Sequence, residues 1–235
     1  RKDISMRIVF FLYDGFTTLD AIGPFETLSR IPGAQVQFVA KQAGLVANDN
    51  ALIDIYAPLS IDEVESADML VIPGGFADEA VRNDPHQMNW VRKIATTTKV
   101  NASICTGSLI FAAAGLLDGR KATTHWARYD VLKSYGAIPV EERWVDHGDI
   151  ITAAGVSAGI DMGLHLTARL TSDDYAKALQ LAIEYAPEPP FNSGKPSSVE
   201  PHIMELVAAT MGGDRGDGPS PRTLPAQINR VTRGV

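Results

Sequence analysis

The 235 residues carry 28 acidic against 21 basic side chains, a formal net charge of −7 that leaves no basic stripe to neutralise nucleic-acid phosphates. Apolar residues make up an ordinary 45%, and no apolar run approaches the roughly 18 residues of a membrane span, so fibrous, disordered and membrane classes are disfavoured. The single cysteine excludes an internal disulfide framework and leaves one thiol for chemistry.

The segment RKDIS precedes Met6 and reads as a remnant or an alternative start. The apolar run after it is too short and strand-like for a signal peptide, so a cytoplasmic location is expected. Arg7 to Tyr13, RIVFFLY, is nearly continuous in apolar character, as a central strand covered on both faces requires. Asp14-Gly15 turns the chain, and Leu19 to Pro24 leads into a helix over Phe25 to Arg30, with Pro24 in its first turn and Pro32-Gly33 ending it. Gln35 to Ala40 reads as a second strand, followed by a Gly/Asn/Asp-rich excursion from Gly44 to Asn50. Ser60 to Glu63 carries a helix-start signal for a short helix before the buried strand Ala67 to Ile72, which runs directly into Pro73-Gly74-Gly75. Asp84-Pro85 starts a helix to about Thr97.

Lys99 to Ile104 is the next strand, and it stops at Cys105, where an apolar helix begins that Gly115 ends. After the turn at Leu116 to Gly119, Ala122 to Trp126 is a short strand or loop, and Ala127 to Tyr135 is helical up to Gly136. Arg143 to Val145 and Asp149 to Thr152 form a hairpin around Asp146-His147-Gly148. A helix from Ser157 to about Leu170 and another from Tyr175 to Tyr185, started by Ser172, close the alternating region, and Pro187 follows. Strands and helices alternating at this spacing predict an α/β sandwich with a mostly parallel central sheet and small hairpin additions. From Ser193 the character changes: His202 to Thr210 could form a short amphipathic helix, and Gly212 to Pro225 is rich in breaks. The expected division is one domain over 6–192 and a tail or arm over 193–235, mobile or packed on a partner.

The strand–Cys–Thr–Gly–helix context makes Cys105 the candidate nucleophile, because a sharp turn there presents backbone N–H groups and the helix dipole to a thiolate. The competing reading is a small buried apolar residue. A Cys–His pair would suggest a peptidase or amidotransferase, but Thr106 follows the cysteine. Asp20 lies beyond the carboxyl end of the first strand, on the same edge of the sheet. It is the candidate acid, with helix capping as its alternative role; beside a thiolate its pKa should rise. Gly74 and Gly75 are candidate oxyanion or substrate-binding donors, against an ordinary strand-ending turn. His125 is the one histidine expected to pass near the elbow, with a structural role as its alternative. No zinc-ligand spacing, phosphate loop or GxGxxG occurs, so no metal and no nucleotide or other cofactor is expected.

LDAIGPFE (19–26), VIPGG (71–75), SICTGSLIFAAAGLLDGRKATTHWA (103–127) and AAGVSAGIDMGLHL (153–166) together resemble the ThiJ/PfpI superfamily, to which DJ-1 belongs, over about residues 6–192. Two subgroups share these blocks: the isocyanide (isonitrile) hydratases and the ligand-sensing half of AraC-type regulators. LQLAIEYAPEPPFNSGKP (179–196) is similar to the hydratase ending, and the remaining residues are too few for the two helix-turn-helix units of a regulator. The resemblance implies a flavodoxin-like α/β fold and a homodimer with its site near the subunit interface. It further implies Cys105 as nucleophile, Asp20 as acid/base where many members carry Glu, and Thr106 as a group orienting Asp20 or water. With Thr106 where peptidase-like members have His, proteolysis is disfavoured. The implied reaction is hydration of a small-molecule isocyanide to an N-substituted formamide. Two alternatives are a glyoxalase- or deglycase-like enzyme on small oxoaldehydes and a non-catalytic ligand or redox sensor.

Overall fold

The computed structural model describes residues 5–210. The remnant or alternative start ahead of Met6, apart from Ser5, and the break-rich Gly212 to Pro225 lie outside the described residues.

Seven strands form one sheet in the order β10-β11-β7-β6-β1-β2-β5. They are β1 (Met6–Leu12), β2 (Ala34–Ala40), β5 (Leu59–Ser60), β6 (Met69–Ile72), β7 (Val100–Ile104), β10 (Trp144–Asp146) and β11 (Ile150–Ala153). Every pairing is parallel except β10 with β11, which closes the expected hairpin at one edge. The continuous apolar character of β1 reflects burial on both faces. Ile8 and Phe10 point into one layer and Val9 and Phe11 into the other. The first layer packs under α1 (Thr18–Leu28) and α6 (Ala158–Leu170), the second under α3 (Pro85–Ala95) and α4 (Gly107–Ala113). The expected flavodoxin-like, mostly parallel α/β sandwich is therefore the architecture found.

α1 and α6 approach closely because α6 presents glycine where bulk is forbidden: a Cβ on Gly163 would lie 1.9 Å from Thr27 Oγ1. α1 itself departs from expectation. It starts at Thr18, so Pro24 stands inside it rather than in its first turn, and Asp20 lies within the first turn rather than capping the helix. Proline has no N–H for the Asp20 carbonyl four residues back, and the helix continues because Ala21, Pro24 and Leu28 are buried.

The Gly44–Asn50 excursion is half of an antiparallel ribbon, β3 (Gly44–Ala47) with β4 (Asp54–Ala57). A short helix, α2 (Asp78–Arg82), precedes α3 where none was expected; Asp84 caps α3 by accepting from the backbone N–H groups of His86 and Gln87. The short helix at Ile61–Glu63 is a 3-10 turn held by the Ser60–Glu63 capping box. Lys121–Ala122 (β8) pairs with Ile138–Pro139 (β9), flanking α5 (Tyr129–Ser134). α7 (Asp173–Ala182) stops short of Tyr185 because Glu184 turns left-handed (φ 50°) and the Tyr185 N–H closes back onto the Gln180 carbonyl at 3.0 Å. The expected His202–Thr210 helix is α8 (Pro201–Thr210).

Candidate active site

Strand order reverses beside β1, where β2 lies on one side and β6 and β7 on the other, and ligand crevices form at such points beyond the carboxyl ends of the strands. The chain brings its candidate residues there: Asp20 follows β1, Gly74 and Gly75 follow β6, Cys105 follows β7 and Val156 follows β11.

Cys105 adopts φ 55°, a left-handed conformation that costs a non-glycine residue roughly 1–3 kcal/mol and persists only where the surroundings enforce it. They do so from both sides. Its N–H donates to the carbonyls of Ala153 and Ala154, both at 3.1 Å, and its carbonyl accepts from the hydroxyls of Ser108 and Thr124, both at 3.0 Å. The sulfur receives the backbone N–H groups of Thr106 and Val156. Those donors stabilise a thiolate, but burial outweighs them, and with the Asp20 charge it holds the thiol well above its ordinary range. The turn thus offers donors to a thiolate, as the sequence suggests, while burial of the 5% exposed side chain favours the neutral thiol.

Asp20 is fully buried. Its Oδ2 accepts the Gly74 N–H at 2.9 Å, whereas Oδ1 has no hydrogen-bond partner. Desolvation pushes this carboxyl up to about 8, against the lowering effects of the Gly74 N–H and the Cys105 thiol. Near neutral pH it is a carboxylic acid beside a thiol, and the two groups titrate as a coupled pair.

Gly74 and Gly75 do not present free donors. The Gly74 N–H is engaged by Asp20, and the Gly75 N–H donates to Thr106 Oγ1 at 2.9 Å. Thr106 returns a bond from its hydroxyl to the Gly75 carbonyl at 3.1 Å, so that hydroxyl braces the β6 turn rather than Asp20. The donors aimed at the reacting centre are instead the N–H groups of Thr106 and Val156. Val156 was not singled out from the sequence, although it lies in the AAGVSAG block that carries the resemblance.

A Cβ on Gly74 would lie 2.5 Å from Thr106 N and 2.8 Å from both Asp20 Oδ2 and Cys105 Cβ. Gly74→Ala is therefore expected to destabilise the fold by about 3 kcal/mol in urea unfolding. Gly194→Ala, which meets no atom within 4 Å, serves as the control, and equal stability of the two variants would contradict this packing.

His125 packs its ring on Gly155 and Trp126 and accepts the Ala127 N–H on Nδ1 at 3.3 Å. Burial, and then the Arg128 charge, lower its pKa, so it is a neutral ring at physiological pH. It lines a pocket of about 300 Å³ with Leu19, Trp126, Tyr129, Val156 and Lys195. Cys105 and Asp20 are not among its lining residues, although Leu19, which precedes Asp20 in the chain, is. A larger groove of about 490 Å³, between the β3–β4 ribbon and α2, contains none of the predicted site residues.

Among the described residues no cluster of three or more His, Cys, Asp or Glu could hold a metal ion, and no helix is long and apolar enough to cross a membrane.

Residues 6–169 match the DJ-1/PfpI family. Over 202 residues the chain is 36% identical to an isonitrile hydratase of Pseudomonas putida, covering 86% of this chain and 88% of that protein. It is 30% identical to the HTH-type transcriptional regulator CdhR of Pseudomonas aeruginosa, covering 89% of this chain and 61% of the regulator. A crystal structure of a THiJ/PfpI family protein from Pseudomonas syringae superposes with a TM-score of 0.83 at 36% identity, over 88% of this chain and 87% of that one.

Proposed function

The chain belongs to the DJ-1/PfpI family, and from that premise we propose that it is an isonitrile hydratase, converting R–NC and water into an N-substituted formamide. One observation carries the reading: the group beside the Cys105 thiol is a buried carboxyl held up to about 8, a proton donor rather than a base. An isonitrile carbon attacked by a nucleophile becomes carbanion-like and needs a proton in the same step. A neutral carboxylic acid supplies it. The 36% identity to the Pseudomonas putida hydratase supports the same reading.

The working form is the pair that has lost one proton, reacting through the tautomer in which the carboxylate has taken the thiol proton, with thiolate on Cys105 and acid on Asp20. The sulfur adds to the terminal carbon while the Asp20 proton passes to that carbon, giving a thioimidate, R–N=CH–S–Cys105, and a carboxylate. The carboxylate takes a proton from water as hydroxide adds to the same carbon, and Asp20 hands that proton to nitrogen. The tetrahedral adduct then gives its hydroxyl proton back to Asp20, the C–S bond breaks, and the formamide leaves with thiolate and acid restored. The N–H groups of Thr106 and Val156 stabilise the sulfur whenever it carries charge. Thr106 acts through its backbone, and its hydroxyl holds the Gly75 turn. The 300 Å³ pocket beside Val156 receives the R group. Assembly as a homodimer, which the resemblance implies, belongs to this proposal.

Purified protein mixed with a simple alkyl or aryl isonitrile is expected to release formamide at a steady rate, measured by absorbance. Consumption of methylglyoxal without formamide would replace the reading with an oxoaldehyde enzyme. Turnover of neither compound would leave a ligand or redox sensor.

A further inference from the structure

The loop between β3 and β4 reaches across the molecule to the helix start that carries the acid. Asn48, 2% exposed, donates from Nδ2 to Thr18 Oγ1 at 2.7 Å and accepts on Oδ1 from the N–H groups of Leu52 and Ile53. Asp49 donates its N–H to the Phe16 carbonyl at 2.8 Å and accepts the Thr17 hydroxyl on Oδ2 at 2.9 Å. Thr17 precedes α1, where a threonine hydroxyl ordinarily caps its own helix; here it makes no cap and is turned toward Asp49. The Thr17 N–H donates in turn to the Gly74 carbonyl at 2.8 Å, and the Gly74 N–H is the donor to Asp20. The loop, the first turn of α1 and the end of β6 thus close a ring of hydrogen bonds around the acid.

We propose that Asp49 is a positioning residue for Asp20, holding through Thr17 the helix start that carries it and setting a second negative charge against the Cys105–Asp20 pair. The titratable groups facing Asp20 are the Cys105 thiol from the elbow, the Tyr13 hydroxyl from the end of β1, and Asp49. Tyr13 donates to the Pro73 carbonyl at 3.0 Å and is held neutral by burial, so Asp49 is the group whose charge can be removed without touching the reacting atoms. Its charge pushes the Asp20 carboxyl up, in the same direction as burial. The consequence for turnover rests on the hydratase reading, because that mechanism needs the pair to have lost one proton.

The test uses the thiol itself, so that it stands apart from the substrate. Cys105 is the one cysteine of the chain, and its rate of alkylation by iodoacetamide can be followed against pH without interference. Asp49→Asn keeps an oxygen for the Thr17 hydroxyl and removes the charge, while Asp49→Glu keeps the charge. Removing a negative neighbour eases ionisation whichever partner loses the proton. The first inflection of the profile is therefore expected to fall by about half a pH unit in Asp49→Asn and to stay in place in Asp49→Glu. The acidic limb of formamide production should move the same way. An Asp49→Asn profile that overlays wild type, a shift upward, or equal shifts in both variants overturns the inference. If wild type makes no formamide, the hydratase reading falls while the alkylation profiles still decide the role of Asp49.

Discussion

Asp20→Asn is expected to abolish most turnover while removing a pH dependence of stability that the wild-type protein carries. The turnover loss follows from the proton that carbon must receive, and positioned general acids contribute about 10²- to 10⁴-fold. The stability effect follows from the raised pKa. In the unfolded chain this carboxyl ionises near 3.8, whereas in the folded protein it holds its proton up to about 8. The group's contribution is therefore fully present below 3.8. It declines as pH rises, because the unfolded chain has released a proton that the folded state retains. Each pH unit in that window costs about 1.4 kcal/mol, or about 6 kcal/mol across it. Asparagine keeps an oxygen for the Gly74 N–H, and its NH₂ replaces the unpartnered Oδ1, a change that adds an offset independent of pH. Urea unfolding at pH 5, 6, 7 and 8 should show the variant gaining on wild type at each step. Parallel curves would mean that Asp20 ionises at its ordinary value in the fold.

Cys105→Ala is expected to lose at least about 10³-fold in formamide production, since the acid alone has no nucleophile to assist. The fold should survive. The backbone at this position is fixed by Ala153, Ala154, Ser108 and Thr124, none of which bonds the side chain, and alanine meets the positive φ at a cost similar to that of cysteine. Melting within a few degrees of wild type, with turnover gone, separates a chemical role from a packing role.

Much of this arrangement was legible in the residues before any coordinates. The apolar runs at β1, β6 and β7 are continuous because those strands are buried on both faces, and each ends at the sheet edge where the candidate site residues gather. Cys105 and Asp20 were readable for that reason. The errors arose where tertiary contacts override local signals. Pro24 reads as a first-turn proline, yet burial of Ala21, Pro24 and Leu28 against the sheet and α6 carries the helix back to Thr18. Gly74 and Gly75 read as free donors, and only the folded chain shows that Asp20 and Thr106 occupy them. The donors at the elbow are a local property readable from the residues, whereas the desolvation that raises the Cys105 thiol depends on every element packed around it. Val156 and Asp49 were unreadable for a related reason. One acts through a backbone N–H that any residue type could provide, and the other through contacts with Phe16 and Thr17 more than thirty positions away.

Intact-mass spectrometry within the first turnovers after mixing with excess isonitrile tests the central claim most directly. The account predicts a transient adduct on Cys105 equal to the mass of one isonitrile, formed in wild type, absent in Cys105→Ala, and decaying as formamide appears. Formamide released by Cys105→Ala at the wild-type rate, or no adduct in wild type while the thiol still alkylates, would contradict it.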